Sequence, residues 1–176
     1  MSNYIERKDP FVEDYHFCGK HAEMVRQLCR NEKKDRIVFS TYVDLFICSA
    51  VVGCVLDKKV KRDTRNRDGN NTANILASAF TSHSDVRFVY CLVLICGDQN
   101  TASKTERLDR AFRYRNTKNS FSIFEEYMLG GLEYLYRNFM ENNQSSNDQM
   151  YLNLRNLMST FIPQVDNVDC DDDIFD

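Results

Sequence analysis

The sequence predicts an all-α protein: a single compact bundle of about seven helices around a buried central helix, followed by a disordered acidic C-terminal tail. Three observations lead there. Two prolines and six glycines in 176 residues leave few breaks, which favours long helices over a turn-rich β architecture. Apolar residues recur at three- and four-residue spacing along much of the chain, as on one face of a helix. The segment 42–56, "YVDLFICSAVVGCVL", is apolar nearly all round, and a soluble helix of that kind is covered by neighbours on every side. A chain of this length closes one core. Residues 1–163 are therefore expected to form one helical domain, with 164–176 as the tail.

The elements follow in order. Asp9 precedes Pro10, an N-cap followed by a first-turn proline whose missing N–H costs nothing. A first helix is expected from there to about Arg30, with Val12, Tyr15, Cys18, Val25, Leu28 and Cys29 inward. The charged "RNEKKDR" connects it to a capping box, Thr41 with Asp44, at the head of the central helix. A polar, basic loop, "DKKVKRDTRNRDGNNT", comes next. Asn71 or Thr72 is expected to cap a short helix through "ANILASAF". Ser82 or Ser84 would cap another through "DVRFVYCLVLIC", stopped by Gly97.

Ser103 and Glu106 form a second capping box before "RLDRAFRYR". Ser120 or Ser122 then opens the clearest helix, in which Phe121, Phe124, Met128, Leu132, Leu135 and Phe139 keep helical spacing. Gly130 and Gly131 sit inside it at a cost of roughly 1–2 kcal/mol relative to alanine. Close approach of a neighbouring helix is the expected compensation. A last helix runs from about Gln149 to Phe161 and ends at Pro163, before the acidic "QVDNVDCDDDIFD".

Several function classes find no support. The polar start, "MSNYIERKDP", lacks the apolar stretch of a secretory signal, and the longest apolar run is too short to span a bilayer. Seven cysteines is an odd number. Cys48, Cys54, Cys91 and Cys96 lie within apolar patterns, as buried thiols do in a reducing compartment. A cytoplasmic location, with no membrane partner, is expected.

The stretch "YHFCGKHAEMVRQLC" offers His16, Cys18, His21 and Cys29 as metal ligands. On one helix Cys18 and His21 share a face, His16 points away, and Cys29 lies about 16 Å further along the axis. Tetrahedral zinc needs four converging ligands. The stretch is thus expected to be a half-buried helix with solvent-facing histidines, holding neither metal nor cofactor. Nucleophile-elbow and phosphate-loop motifs are absent. Glu125 and Glu126, adjacent on a helix, point about 100° apart and form no carboxylate pair. No enzyme is expected.

Charge is more informative. The formal net charge is −3, but the last eleven residues hold six aspartates and no base, leaving 23 basic against 20 acidic residues elsewhere. Lys58, Lys59, Lys61, Arg62, Arg65 and Arg67 crowd one loop. Lys104, Arg107, Arg110, Arg113 and Arg115 follow one helix. Such clusters suit a phosphate backbone, with Tyr114 available for stacking. The alternative is a solvated loop and a helix face balanced by Glu106 and Asp109. The tail could cover the basic surface, dock on a partner through "DIFD", or serve solubility.

Two segments resemble a known family. "FSTYVDLFICSAVVGCVLDKKVKRD", residues 39–63, is similar to small proteins associated with bacterial Dnd systems, which mark DNA with phosphorothioate. The shared features are Thr41, Asp44, Gly53 and the basic turn Lys58 to Arg62. "IFEEYMLGGLEYL", residues 123–135, resembles the family's "IFEEYANGGLEIL"-like helix, with Phe124, Glu125, Glu126, Tyr127, Gly130, Gly131, Leu132 and Glu133 in order. The likeness spans residues 39–139 and brings no catalytic residue with it. It implies an accessory subunit of a bacterial DNA-modification or anti-phage defence system, with other defence-system subunits as partners. Joined to the charge pattern, it suggests contact with the DNA backbone, Arg107 and Arg110 meeting phosphates and Lys58, Lys59, Lys61 and Arg62 adding attraction. The other reading is an adaptor that bridges larger subunits, for example an ATPase and an effector nuclease, through Tyr134, Tyr136 and the tail without touching DNA.

Overall fold

The computed structural model describes residues 9–29, 38–64, 73–98, 100–112 and 117–141, together with Leu152, Arg155, Asn156 and Ser159. The chain divides into two units, Met1–Gln144 and Ser145–Asp176. In the second, the four described residues are helical, and the Ser159 hydroxyl donates to the Asn156 carbonyl at 2.8 Å. The rest of the expected 149–161 helix and all of the 164–176 tail lie outside the described residues.

The first unit is mostly helical. In order it contains β1 (Tyr15–Phe17), α1 (Gly19–Cys29), α2 (Tyr42–Val55), β2 (Ala73–Ile75), α3 (Ala77–Ser82), α4 (Asp85–Cys96), α5 (Lys104–Phe112), α6 (Thr117–Tyr136) and a π-helical turn, Arg137–Glu141. None of the described helices is long and apolar enough to cross a membrane.

The all-α expectation is corrected by the two strands. β1 pairs antiparallel with β2, with Tyr15 opposite Ile75, His16 opposite Asn74 and Phe17 opposite Ala73. Tyr15, Phe17, Ala73 and Ile75 face inward while His16 and Asn74 face out, the period-two alternation of a half-buried strand. This pairing takes residues 15–17 out of the expected first helix and residues 73–75 out of the expected third. Gly19, at φ 56°, supplies the left-handed residue between β1 and the body of α1, a conformation that suits glycine. Asn71 and Thr72 lie outside the described residues. The cap of α3 arrives from elsewhere: the Asp14 carboxylate accepts the Ala77 N–H at 2.8 Å.

The turn before β1 has its own role. Val12, expected inward, is exposed, whereas Phe11 is buried. Its ring meets Phe46, Tyr90 and Phe124 edge-on at 6.3, 5.5 and 6.2 Å between centroids. Such edge-to-face pairs contribute beyond simple burial. Phe11 thereby ties the N-terminal turn to α2, α4 and α6.

Local signals did set the other helices. Thr41 caps α2, its hydroxyl accepting the Asp44 N–H at 3.1 Å and donating to the Asp44 carboxylate at 2.7 Å. The Ser103 hydroxyl accepts the Glu106 N–H at 3.2 Å. Ser84 precedes α4 without a side-chain cap bond. α6 opens at Thr117, ahead of the serines expected to start it, and Ser120 is buried within the helix. Gly97 closes α4 by donating its N–H to the Val93 carbonyl at 2.8 Å. A Cβ on Gly97 would lie 2.6 Å from the Tyr127 ring.

α2 and α6 cross at the centre. Val43, Leu45, Phe46, Ala50 and Val52 from one meet a core built from Phe124, Met128, Leu129, Leu132 and Leu135 of the other. The crossing has no room for side chains at its closest points. A Cβ on Gly53 would overlap the Tyr127 carbonyl, and one on Gly131 would overlap the Ser49 carbonyl. In both cases the obstacle is backbone, which cannot swing aside. Gly131→Ala is accordingly expected to destabilise the protein by about 1–3 kcal/mol, the range for overpacking, despite alanine's better helix propensity. Urea unfolding measures this; an unchanged or higher midpoint would show that the helices do not approach so closely.

Candidate functional site

The lysine-rich turn after α2 is built from its backbone outward. The Asp57 N–H donates to the Cys54 carbonyl at 3.3 Å and the Lys58 N–H to the Gly53 carbonyl at 2.8 Å. Asp57 takes φ 48° between them. This is the paired bonding of a Schellman C-cap, with aspartate in the place glycine usually fills. The chain then runs across α6. Val60 donates its N–H to the Glu126 carbonyl at 2.9 Å, and a Cβ on Gly130 would overlap the Lys58 carbonyl. Gly130 therefore lets the turn lie directly on the helix.

The basic residues grouped by sequence divide sharply by environment. The Lys59 ammonium pairs with the Asp98 carboxylate and sits 4.6 Å from the Tyr127 ring centroid. Burial opposes its charge, but the hydrogen bond to Asp98 and the neighbouring Tyr127 hold its pKa above the ordinary lysine value. The Arg62 guanidinium donates to Glu125 at 3.1 Å, to the His16 carbonyl at 2.5 Å and to the Cys18 sulfur at 3.6 Å. It also lies over the Tyr15 ring, whose hydroxyl donates to Glu125 at 2.8 Å. Arg107 donates to the Ile95 carbonyl in the last turn of α4 at 2.5 Å. Arg110 joins Asp98, at 3.4 Å, to Glu106.

Lys58, Lys61 and Lys104 are exposed. The Lys58 ammonium lies 5.5 Å from the Tyr134 ring centroid. Arg65, Arg67, Arg113, Tyr114 and Arg115 lie outside the described residues. α5 as described ends at Phe112. The arginines of the 104–115 stretch that can be seen thus serve as internal ties between α4 and α5.

The histidine-cysteine stretch disperses to separate partners. His16, on the outer face of β1, has Nδ1 2.8 Å from the Asn74 side-chain oxygen. Cys18 is buried and donates to the His16 carbonyl at 3.6 Å. His21, expected to face solvent, is instead 1% exposed, with Nε2 3.1 Å from Glu133. The bend at Gly19 turns the helix that carries it inward against α6. Among the described residues, no group of three or more histidine, cysteine or carboxylate side chains converges to hold a metal ion.

Glu133 is shared between two donors, Lys20 at 2.5 Å and His21 at 3.1 Å. Burial would raise its pKa, but these hydrogen bonds outweigh burial and hold it below the usual carboxylate value. For His21 burial wins, and its pKa falls below the ordinary imidazole value despite Glu133. Among the described residues its Nδ1 has no hydrogen-bond partner, so a proton placed there would be buried without an acceptor from them.

Among the described residues, two pockets lie beside these groups. One, of about 460 Å³, lies between the 9–14 turn and the rings of Tyr15, Phe80 and Phe121. Its Asp9 pairs with Arg87 at 2.5 Å, and its Asp14 caps α3. The other, of about 320 Å³, lies between the lysine turn and the α6 face that carries Gly130, Glu133, Tyr134 and Arg137. Sequence reasoning passed over Arg137; its place seven residues after Gly130 puts it on the same helix face.

Tyr134 and Tyr136, expected in an apolar contact surface, each have a polar neighbour within the chain. Tyr134 carries Lys58, and the Tyr136 hydroxyl donates to Gln27 at 2.8 Å. The exposed large apolar residues include Phe88 and Leu92 on α4 and Phe112 at the end of α5.

This arrangement defines a small, mostly helical protein that presents a lysine-bearing turn on a two-helix crossing. The family model described as "DNA sulphur modification system-associated protein 4" matches residues 16–171. The chain belongs to that family, and the match extends beyond the 39–139 resemblance in both directions. No curated protein and no solved structure matches the chain.

The histidine gives a pH prediction. Because the folded pKa of His21 is depressed, the unfolded chain binds the extra proton first. The resulting stability is full above about pH 6.5 and declines as pH falls from there toward the folded value. His21→Gln, which keeps a side-chain donor for Glu133, is expected to flatten that decline. Urea midpoints measured between neutral pH and the onset of carboxylate titration decide it; an identical slope in the variant would remove His21 as its source.

Proposed function

We propose that the protein is a non-catalytic accessory subunit of a DNA sulphur modification system that contacts the DNA backbone through the exposed lysines of the turn after α2 and of α5. Family membership supplies the system. The observation that carries the DNA contact is what remains of the basic residues expected to meet DNA after the internally paired ones are set aside: among the described residues Lys58, Lys61 and Lys104 stay exposed. Exposed ammonium groups bind phosphates by releasing condensed counterions, which makes affinity salt-dependent and sequence-independent. This shifts the contact from Arg107 and Arg110, whose removal would also loosen α4 from α5.

An adaptor role is the second reading, favoured by one observation. Phe88 is 69% exposed and Phe112 57% exposed; Leu92 follows one helical turn after Phe88. α5 meets α4 near these residues, where the Cys91 thiol donates to the Ala111 carbonyl at 3.4 Å. Exposed aromatic side chains of this size suit a protein contact. Co-purification with another protein of the modification system, abolished by Phe88→Asp, would favour this role.

Fluorescence anisotropy with labelled duplex DNA across a salt series tests the leading reading. Wild-type affinity is expected to fall steeply with salt. Lys61→Gln with Lys104→Gln should weaken binding for all sequences alike and reduce the magnitude of the salt slope by about 2. Absence of binding at low salt would exclude direct DNA contact and leave the adaptor role.

A further inference from the structure

The roughly 320 Å³ pocket beneath the lysine turn has the makings of a specific anion site. Its floor is one face of α6 continued into the π-helical turn: Gly130, Glu133, Tyr134 and Arg137 follow at the three- and four-residue intervals that share a face. Its wall is the turn 57–60. Gly130 creates the junction, since any Cβ would overlap the Lys58 carbonyl. The turn's backbone consequently rests on the floor while the Lys58 side chain reaches over Tyr134.

The charges lining it are not equally available. Glu133 is held by Lys20 and His21. Lys59 is held by Asp98. Asp57 accepts the Tyr127 hydroxyl at 3.1 Å. Lys58 and Arg137 are both exposed, and neither has a carboxylate partner among the described residues. Two cations of different type thus line one concavity, a point charge and a planar fork, a pairing suited to phosphate oxygens. The volume is at the small end of ligand pockets, enough for one phosphate group and part of what it esterifies.

We infer that this pocket binds a single phosphate group, held between the Lys58 ammonium and the Arg137 guanidinium over the ring of Tyr134. The inference deepens the DNA-backbone reading and rests on it for the source of the phosphate, a phosphodiester of DNA. A free phosphate compound has the same chemistry, and the experiment separates the two.

The full chain and its Arg137→Gln and Lys58→Gln variants are titrated with a labelled duplex by anisotropy and with inorganic pyrophosphate by calorimetry. Thermal melts check that the fold is intact in both variants. Each variant is expected to lose about tenfold in duplex affinity, the effect of one charge-assisted contact, and to reduce the magnitude of the salt slope by about 1. Pyrophosphate binding to wild type that disappears in Arg137→Gln, with no duplex binding by any form, would support the pocket while assigning it a free phosphate compound and overturning the DNA reading. Duplex binding that both variants retain at wild-type strength would overturn the pocket and leave the DNA reading standing. No binding of either probe overturns both.

Discussion

The contact on which the rest of the structure depends is the backbone-to-backbone approach of α2 and α6. Gly53 faces the Tyr127 carbonyl and Gly131 faces the Ser49 carbonyl, each filling space that any side chain would deny. A helical glycine costs about 1 kcal/mol relative to alanine. Closeness of the axes recovers this because large side chains on either side of the crossing then pack fully. Phe46 reaches Phe124 at 5.4 Å between ring centroids, and Leu45, Met128 and Leu132 are all buried. Burying such a side chain contributes about 1.5–3 kcal/mol, so a few well-packed residues outweigh the propensity lost at the glycines.

The same contact sets the height at which α2 terminates. Because Gly53 lies at the crossing and also accepts the Lys58 N–H, the C-cap is fixed within one turn of the point where the helices touch. Gly130 then receives the chain as it leaves. Tyr127, one turn earlier on α6, completes the join: its hydroxyl accepts the Asp98 N–H at 2.9 Å and donates to Asp57. The ends of α2 and α4 are thus fastened to one tyrosine, and Gly97 is small where that ring lies. The paired glycines of α6 and the basic turn after α2 belong to one construction, although some seventy residues separate them in sequence.

What could be read from the sequence follows from how far each signal reaches. α6 carries its own periodicity, α2 is apolar nearly all round, and α2 and α5 carry side-chain caps within three residues, so local reasoning found them. The strands were missed because three residues of alternation carry little information until a partner is present. β1 and β2 are partners across some sixty residues. The cap of α3 was missed for the same reason, since Asp14 acts from the preceding strand's approach. Phe11 gave only the signal of being aromatic beside a proline. His21 was misjudged because Gly19 ends the extended segment there, rotating the helix relative to the continuous one that spacing suggested.

The charged residues show the same limit in its strongest form. Counting lysines and arginines located the basic segments, but the partners that divide them are remote in sequence: Asp98 for Lys59, Glu125 for Arg62 and Ile95 for Arg107. The division also follows side-chain chemistry. Arg62, Arg107 and Arg110 occupy half-buried positions where a planar, weakly hydrated fork can satisfy several acceptors at once. Lys58, Lys61 and Lys104 remain where a strongly hydrated ammonium loses least. A charge already desolvated and paired inside the fold adds little to the field felt by a phosphate outside it, whereas an exposed ammonium can neutralise a phosphate and release the counterions condensed on DNA. The effective basic surface is therefore smaller than composition implies. Arg137 is the exception that defines it: an arginine left exposed, on the helix face that Gly130 opens, beside Lys58, whose ammonium lies over the Tyr134 ring.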